Sequence, residues 1–292
     1  MSKNPIITIK DVSKVFGFGD ATTIALDEVS LDINKGEFIA VMGPSGSGKT
    51  TLMNIIGLLD RPSHGVHKLN NRDVSRYSQT KQAKTRRDNI GFIFQSFNLL
   101  SGMSAIENVA LPLAYKRKTQ TKRLKTASQV LEHVGLKDRE YYLPSQLSGG
   151  QLQRVAIARA LVNEPSIIIA DEPTGNLDSV SARVVMEMLA DIHKTGNTVI
   201  MVTHNPSLTR YADRILYMLD GNIIYDEASA VGEVPDRVKK AINALRKSDD
   251  DEKLASVSAM IETMPDPKSE EKKSGSKPKK SSRRRKKKGR KK

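Results

Sequence analysis

The chain has 292 residues, contains no Cys and no Trp, and carries a formal net charge of +15. The absence of Cys excludes a disulfide scaffold, a thiolate metal site and a cysteine nucleophile. No apolar run approaches the roughly 18–20 residues that span a bilayer, and the first residues lack the apolar stretch of a signal peptide, so we expect a cytosolic setting. Residues 268–292 hold 15 Lys and Arg against two Glu, so the high isoelectric point belongs to this segment and does not by itself indicate a nucleic-acid binder.

Short apolar segments rich in β-branched residues alternate with helical patterns along residues 1 to about 228. The strand candidates are Ile6–Ile9, Phe38–Met42, Ile90–Phe94, Ile167–Ala170 and Thr198–Thr203. Helices are predicted at Lys49–Gly57, Gln151–Val162 and Ser179–Lys194. This alternation predicts an α/β core with a mainly parallel sheet.

Residues 103–143 carry helical patterns at Ala105–Leu113 and Lys122–Val134 and no clear strand. They predict a helical subdomain, at about residues 96–160, inserted into a main domain that covers residues 1–228. Residues 229–265 are expected to form a partly helical extension, with candidate helices at Val234–Leu245 and Leu254–Glu262. From about residue 266 the chain is dominated by Lys, Arg, Ser, Pro and Gly, a composition that predicts a disordered tail.

Residues 43–50 read Gly-Pro-Ser-Gly-Ser-Gly-Lys-Thr and fit the phosphate-binding pattern G-x-x-x-x-G-K-[ST] between a predicted strand and a predicted helix. Glycine lets the backbone wrap closely and point N–H groups at phosphate oxygens, and the helix N-terminus adds its dipole. Lys49 would place its charge on the β- and γ-phosphates, and Thr50 would offer its hydroxyl to Mg²⁺. The strand–turn–helix context disfavours the alternative, a Gly-rich turn that binds nothing. The predicted nucleotide-binding residues in this segment are Gly43, Pro44, Ser45, Gly46, Ser47, Gly48, Lys49, Thr50 and Thr51.

Residues 167–172, Ile-Ile-Ile-Ala-Asp-Glu, form an apolar strand that ends in two carboxylates. After a phosphate-binding loop, this pattern is typical of a Walker B motif. Asp171 would hold Mg²⁺, directly or through water, and Glu172 would polarise the attacking water as a general base. A helix cap or a solvated turn is the alternative interpretation of the two carboxylates.

A second Ser/Gly turn, Leu-Ser-Gly-Gly-Gln at residues 147–151, precedes an amphipathic helix and predicts another anion site at a helix N-terminus. One nucleotide does not need two such sites from one chain. We therefore expect Ser148, Gly149, Gly150 and Gln151 to serve a nucleotide held by another subunit.

Together with Gln95, residues 175–178 (Gly-Asn-Leu-Asp) and His204, these motifs occur in the order and spacing of an ABC-transporter ATPase subunit. The chain resembles that family over roughly residues 5–228. The resemblance implies a P-loop NTPase core, an antiparallel β-subdomain and a helical subdomain that carries the signature at residues 147–151. It also implies ATP and Mg²⁺ as cofactors, ATP hydrolysis, and a homodimer that sandwiches two ATP molecules, each between one P-loop and the partner's signature.

The resemblance suggests further roles for single residues. Phe16 matches the aromatic that stacks on adenine, although Phe18 is an alternative and ordinary core packing of Phe16 is a third possibility. Gln95 would reach Mg²⁺ and the attacking water, His204 would contact the γ-phosphate, and Asp178 with its loop would communicate across the dimer. The predicted catalytic residues are Glu172, His204, Gln95 and Lys49, and the predicted Mg²⁺ ligands are Thr50, Gln95 and Asp171.

Residues 57–62, 94–100 and 103–109 resemble the branch of the family that releases lipoproteins, exports macrolides or confers resistance to antimicrobial peptides. Because the chain lacks membrane spans, a separate transmembrane permease and a peripheral position on the cytoplasmic face of the membrane are implied. The alternative is a non-transport ABC ATPase that acts on the ribosome or on nucleic acid, although such proteins usually carry two cassettes or a long coiled-coil insertion. A P-loop kinase would explain neither residues 147–151 nor His204.

The basic tail, Lys268–Lys292, leaves three interpretations open: a solubilising tail, attachment to anionic lipid beside the permease, or contact with nucleic acid or the ribosome. The tail has no aromatic residue, so any RNA binding would be independent of sequence. Elsewhere, Leu152, where many relatives have Gln, is expected to have little effect on ATP chemistry. His64, His67, His133 and His193 show no metal-ligand spacing and are predicted to be surface residues.

Overall fold

The structure, a computed structural model of the chain, describes residues 5–17 and 22–226. In chain order its strands are β1 (Pro5–Phe16), β2 (Thr23–Asn34), β3 (Phe38–Met42), β4 (His64–Leu69), β5 (Arg72–Asp73), β6 (Ile90–Phe94), β7 (Ile167–Asp171), β8 (Thr198–Val202), β9 (Arg214–Leu219) and β10 (Asn222–Asp226). Its α-helices are α1 (Lys49–Ile56), α2 (Gln79–Asn89), α3 (Ala105–Ala114), α4 (Gln120–His133), α5 (Gly149–Leu161) and α6 (Ser179–Lys194). Short 3₁₀ helices occur at Lys137–Arg139, Pro144–Gln146 and Pro206–Tyr211.

The strands form two sheets. The central sheet has six strands in the order β10-β9-β3-β8-β7-β6, and all neighbours are parallel except β10 and β9. The second sheet has four antiparallel strands in the order β2-β1-β4-β5. The carboxyl ends of β3, β6, β7 and β8 therefore meet at one edge of the central sheet, where ligands bind in open α/β folds.

The central strands are apolar on both faces because both faces of the sheet are covered. Along β3, Phe38 and Ala40 face a core shared with α3, α4, α5 and α6. Ile39 and Val41 face a second core, shared with α1 and with the antiparallel sheet. Every residue of β3 is buried, which fixes the strand that leads into residues 43–50.

The helical layer is built from α3, α4 and α5, which lie between β6 and β7 in the chain. Ser104 and Glu107 form a reciprocal capping box at the start of α3, with the Ser104 N–H donating to Glu107 Oε2 at 2.8 Å. These backbone and hydroxyl bonds from Ser104 hold the pKa of Glu107 below its usual range. The capping box therefore fixes where the helical layer begins.

The predicted fold class is confirmed: a mainly parallel α/β core carries an antiparallel sheet and an inserted helical layer. The strand candidates of the sequence lie within β1, β3, β6 and β7, and the last candidate covers β8 and one further residue, Thr203. The pattern did not single out β2, β4, β9 or β10, nor α2, whose residues are nearly all polar. The predictions for residues 229–265 and for the basic tail lie outside the described residues.

Candidate functional site

A cavity of about 610 Å³ lies at the carboxyl edge of the central sheet. Its walls combine backbone of the loop that follows β3 with side chains from the ends of β6, β7 and β8. The lining residues are Ala25, Met42, Gly43, Pro44, Ser45, Gly46, Gly48, Lys49, Thr50, Thr51, Gln95, Asp171, Glu172, Val202, His204 and Tyr217. The fold thus brings together most residues that the sequence predicted for one nucleotide site.

The loop after β3 requires glycine for its backbone path. Gly43 has a φ of +144°, and a Cβ there would lie 2.1 Å from the carbonyl oxygen of Met218. Gly48 has a φ of +95°, and its Cβ would lie 2.5 Å from the carbonyl oxygen of Ala25. The loop is therefore pressed against β9 and β2, and its residues line one wall of the cavity.

Lys49 folds back over the loop. Its Nζ donates to the carbonyl oxygens of Gly43 at 2.8 Å and Pro44 at 2.6 Å, and to Ser47 Oγ at 3.4 Å. Burial lowers the pKa of Lys49, and the nearby carboxylates of Glu172 and Asp171 oppose that shift. Ser47 is buried and does not line the cavity; its N–H donates to the Pro44 carbonyl, so this predicted residue supports the loop from behind.

Asp171 ends β7 with its carboxylate at the cavity, beside Thr50 and Gln95. Burial and the negative charge of Glu172 raise the pKa of Asp171, and Lys49 lowers it. Within residues 5–17 and 22–226, no group of three or more His, Cys, Asp or Glu could hold a metal by itself. A carboxylate, a hydroxyl and an amide oxygen are nevertheless suitable donors for Mg²⁺, which usually takes its remaining ligands from water and phosphate. The donor set at this edge fits that ion.

Glu172 is held in place at the end of β8. Its Oε1 accepts from the backbone N–H of His204 at 2.9 Å and lies 2.8 Å from His204 Nδ1. Its Oε2 accepts from the buried hydroxyl of Thr203 at 3.3 Å. Sequence reasoning missed Thr203, because a Thr at a strand end is an unremarkable strand former until the fold places Glu172 beside it. The carboxylate and the imidazole that the sequence singled out therefore form a contacting pair.

Gln95 joins the end of β6 to the segment before α6. Its Nε2 donates to Asn176 Oδ1 at 3.4 Å, and Asn176 Nδ2 donates to the Gln95 carbonyl at 3.1 Å. A Cβ at Gly175 would lie 2.7 Å from Gln95 Nε2, so glycine is what lets the two segments approach. Movement of either segment would therefore displace the amide of Gln95.

Several predicted residues do not line this cavity. Ser148 caps α5 and accepts from the Gln151 N–H at 3.4 Å, while the Ser148 N–H donates to Gln151 Oε1 at 2.8 Å. Asp178 caps α6, and hydrogen bonds from Ser181, with a further one from Val180, lower the pKa of this exposed carboxylate. The signature turn, residues 147–151, is thus intact but separate from the nucleotide cavity of its own chain.

The starts of α5 and α6 are packed closely together. A Cβ at Gly150 would lie 2.6 Å from Ser181 Oγ. Glycine at this position therefore lets the signature turn rest against the first turn of α6.

Phe16, the predicted adenine-stacking residue, lies at the end of β1 and is 46% exposed. That exposure excludes ordinary core packing as its explanation. Lys14 Nζ lies 4.9 Å from the centre of the Phe16 ring. Phe18 lies outside the described residues, so the choice between the two aromatics stays a prediction.

The prediction that four histidines lie at the surface is wrong for two of them. His64 and His133 are exposed, but His67 is 1% exposed within β4. Burial lowers the pKa of His67 to about 4, and Asp73 partly opposes this. His193 is partly buried, packs edge-on against Phe38, and has its Nε2 3.0 Å from the carbonyl oxygen of Gly36. The spacing of the histidines in the sequence carried no information about their burial.

Similarity to known proteins decides the family. The family described as ABC transporter matches residues 26–175. YvrO of Bacillus subtilis (strain 168), an uncharacterized ABC transporter ATP-binding protein, is 46% identical over 222 residues, which cover 76% of this chain and 97% of that protein. A dimer of the ATP-binding cassette MJ0796 in a post-hydrolysis state, bound to ADP and Pi, matches with a TM-score of 0.71 at 43% identity and covers 76% of this chain and 97% of that one. The chain belongs to the ABC transporter family.

Membership in the ABC transporter family makes the chain an ATPase that binds ATP with Mg²⁺, and its relatives are of the transporter type. The macrolide export ATP-binding/permease protein MacB of Marinobacter nauticus is 43% identical over 258 residues, and these cover 88% of this chain but 40% of that protein. The chain therefore spans less than half the length of this ATP-binding/permease relative. No helix within residues 5–17 and 22–226 combines the length and apolar character needed to cross a membrane.

Proposed function

We propose that the cavity at the carboxyl edge holds one ATP with Mg²⁺ and that Glu172 is the general base for its hydrolysis. The observation that carries the proposal is the convergence of Lys49, Asp171, Glu172 and His204 on one cavity beside a glycine-dependent loop. Backbone N–H groups at the start of α1 and the ammonium of Lys49 bind and orient the phosphates. Residues 43–51 would thus fix the γ-phosphate relative to the two carboxylates.

Thr50, Gln95 and Asp171 are the residues that would hold Mg²⁺. When bound, the ion neutralises phosphate charge and orients the phosphate oxygens. The pKa of Asp171 is raised, mainly by burial. A bound cation would stabilise the ionised form of this buried carboxylate. The link from Gln95 to Asn176 connects this ligand set to the segment before α6.

Glu172 would accept a proton from the attacking water, since its carboxylate lines the cavity and is oriented by His204 and Thr203. The imidazole of His204 is largely exposed and would exchange its contact with Glu172 for one with a γ-phosphate. The Glu172→Gln variant should therefore bind ATP and hardly hydrolyse it. In gel filtration it should run as a dimer with ATP and as a monomer with ADP alone, because ADP lacks the γ-phosphate that the signature turn of a second copy would contact. Wild-type turnover by this variant would refute the assignment of the base.

The signature turn, residues 147–151, would bind the γ-phosphate of a nucleotide held by a second copy. Its separation from the cavity of its own chain supports this arrangement, and so do the dimeric MJ0796 cassettes. ATP binding would close the homodimer, and hydrolysis would reopen it. The residues assigned to this contact are Ser148, Gly149, Gly150 and Gln151, with Asp178 at the neighbouring end of α6.

A separate permease would dock on the surface formed by residues 57–62 and 94–109. Leu59 and Leu100 are 45% and 47% exposed there. The buried side chain of Asn108 accepts from the Leu100 N–H at 2.8 Å and donates to the Leu100 carbonyl at 3.1 Å and the Met103 carbonyl at 2.9 Å. These hydrogen bonds fix the backbone of residues 100–103 against α3, so a partner could dock on a rigid surface.

We assign the chain to the branch that exports macrolides or handles lipoproteins and peptides, supported by its likeness to MacB proteins. The ATPase domain would cover residues 1–228, with its helical subdomain at about 96–160. The chain would lie on the cytoplasmic face of the membrane through its permease. The basic tail, Lys268–Lys292, would add electrostatic attraction to anionic lipid.

Affinity purification of Glu172→Gln from detergent-solubilised membranes with ATP tests the transport assignment. A stoichiometric polytopic membrane protein should co-purify. The control is the same variant purified with ADP in place of ATP. A smaller fraction of the ATPase should then be recovered as a dimer. Ribosomal proteins or nucleic acid in place of a permease would overturn the proposal.

A further inference from the structure

Glu172 has a strained backbone. Its φ is +46°, in the left-handed region that costs free energy for any residue with a Cβ. It also precedes Pro173, and residues before proline normally adopt extended conformations. Such a conformation persists only where the surroundings determine it, so the groups that hold this turn also aim the Glu172 carboxylate.

Three bonds hold the turn. The Glu172 N–H donates to the Val202 carbonyl at 2.9 Å, and the Glu172 carbonyl accepts from the Gly175 N–H at 3.1 Å. The third bond comes from the helical layer: Gln153 Nε2, on α5, donates to the carbonyl oxygen of Pro173 at 2.7 Å. Gln153 therefore ties α5 directly to the residue that follows the proposed base.

Gln153 is unusual for a core residue. It is fully buried, and its Oε1 has no partner among the residues that the structure describes. A buried amide whose nitrogen is hydrogen-bonded but whose oxygen is not destabilises the fold relative to an apolar residue of the same size. Packing alone therefore does not account for Gln at this position, whereas the bond to Pro173 does.

We propose that Gln153 is a positioning residue that transmits the state of the signature turn to Glu172 of the same chain. This inference rests on the proposed function, in which residues 147–151 contact the partner's nucleotide. Gln153 lies on the second turn of α5, directly after the signature turn, and helices move as rigid units. Displacement of α5 by the partner's nucleotide then shifts Pro173 and the carboxylate of Glu172, so that filling one ATP site tunes the base of the other. Gln153 touches no nucleotide and acts only through Pro173.

The test replaces Gln153 by Met in the full chain, which keeps the volume and removes the donor. The matched control is Gln82→Met, since Gln82 is a buried glutamine on α2 that accepts from Arg61 Nε at 3.3 Å. Gln153→Met should lower kcat by about tenfold to a hundredfold, the scale of a small misplacement of a catalytic group. Its KM for ATP should change little, and the cooperativity of hydrolysis with ATP concentration should disappear. Gln82→Met should keep the wild-type kcat, KM and Hill coefficient.

A second variant distinguishes positioning from a merely structural role. In Gln153→Glu, a neutral carboxyl group can donate to the Pro173 carbonyl and an ionised one cannot. Burial raises the pKa of a carboxyl group, so the kcat of this variant relative to wild type should rise as the pH falls from about 8 to about 6. Circular dichroism at each pH verifies that both proteins stay folded. A ratio independent of pH contradicts the proposal.

The proposal and the proposed function fail in different ways. If Glu172→Gln stays monomeric with ATP, the dimeric arrangement itself is wrong. If Glu172→Gln dimerises but folded Gln153→Met matches Gln82→Met in kcat and cooperativity, only the role of Gln153 is wrong. The double variant Glu172→Gln/Gln153→Met should still dimerise with ATP, because Gln153 does not belong to the contact surface. Loss of that dimer would place Gln153 in nucleotide binding and overturn its assignment as a positioning residue.

Discussion

Two helices of this protein begin with Ser/Gly turns, and their first turns are completed in opposite ways. At α1, Gly48 adopts a left-handed conformation with a φ of +95°, and no side chain caps the helix. At α5, Ser148 and Gln151 form a reciprocal capping box within the chain. Since the first N–H groups of any helix need partners, the start of α1 is left for a ligand, whereas the start of α5 is stable on its own.

The uncapped start of α1 is suited to binding a ligand, whereas the capped start of α5 contributes to the stability of the fold. The loop at residues 43–50 is held by β2, β9 and Lys49, but the first turn of α1 has no side-chain cap, which suits the binding of phosphate. The signature turn at α5 keeps its shape without nucleotide, as a surface that waits for a partner should.

Lys49→Ala should reduce ATP hydrolysis by about 10²–10³-fold, the usual cost of removing one donor that stabilises transition-state charge. Stability toward urea should change little because, among residues 5–17 and 22–226, the hydrogen bonds of Lys49 Nζ all go to groups of its own loop. Steady-state turnover and a urea unfolding curve are the measurements. Lys194→Ala, which removes an exposed lysine paired with Asp191, is the matched control and should leave both unchanged. Wild-type turnover by Lys49→Ala would mean that the α1 turn does not bind the phosphates.

The buried imidazole of His67 makes the stability of the folded protein, in which both helix starts are formed, depend on pH. Its pKa is about 4 in the fold against an ordinary 6.5, mainly because of burial. The folded state therefore binds this proton less readily than the unfolded chain. The contribution of His67 to the free energy of unfolding is fully present above about pH 6.5. It falls by up to about 3 kcal/mol as the pH drops toward 4.

Replacing His67 by Leu should flatten the pH dependence of the unfolding free energy between these two values. His64→Leu, at an exposed position of the same strand, should keep the wild-type slope. Urea unfolding at a series of pH values measures both. Equal slopes in the two variants would show that the buried imidazole does not control acid unfolding.

Ser148→Ala should destabilise the fold by about 1 kcal/mol, the usual cost of losing a helix cap. Nucleotide affinity of the isolated monomer should stay at the wild-type value, because the signature turn does not line the cavity of its own chain. Urea unfolding and titration with ADP measure the two quantities. This result is the reverse of that expected for Lys49→Ala. Weakened ADP binding by the Ser148→Ala monomer would remove the distinction between the two helix starts.

The sequence predicted the parts of the site that are encoded in continuous stretches. Residues 43–50 and 167–172 each carry a strand, a turn and the reactive groups within a few positions, so local physics suffices to recognise them. Their convergence also follows, since the carboxyl ends of parallel strands share one edge.

Contacts between distant segments were not predictable in the same way. The bond from Gln153 to Pro173, the support of Glu172 by Thr203 and the burial of His67 depend on how separate elements pack. The resemblance implied the antiparallel sheet, but the residue pattern indicated only β1 among its strands, because the pairing of β1 with β2 contains several irregularities in register that interrupt a regular alternation. Helix α2 lacks an apolar stripe, so its periodicity gave no signal.

The ammonium group of Lys49 has three protons, and the loop offers it three acceptors at Gly43, Pro44 and Ser47. Arrival of a phosphate is therefore an exchange of hydrogen bonds rather than a simple addition. We therefore expect Lys49 to contribute less to the heat of binding than a lysine without such partners would, because bonds to the loop are broken as bonds to phosphate form. The same exchange should ease the release of product, since the ammonium group can bond to the loop again.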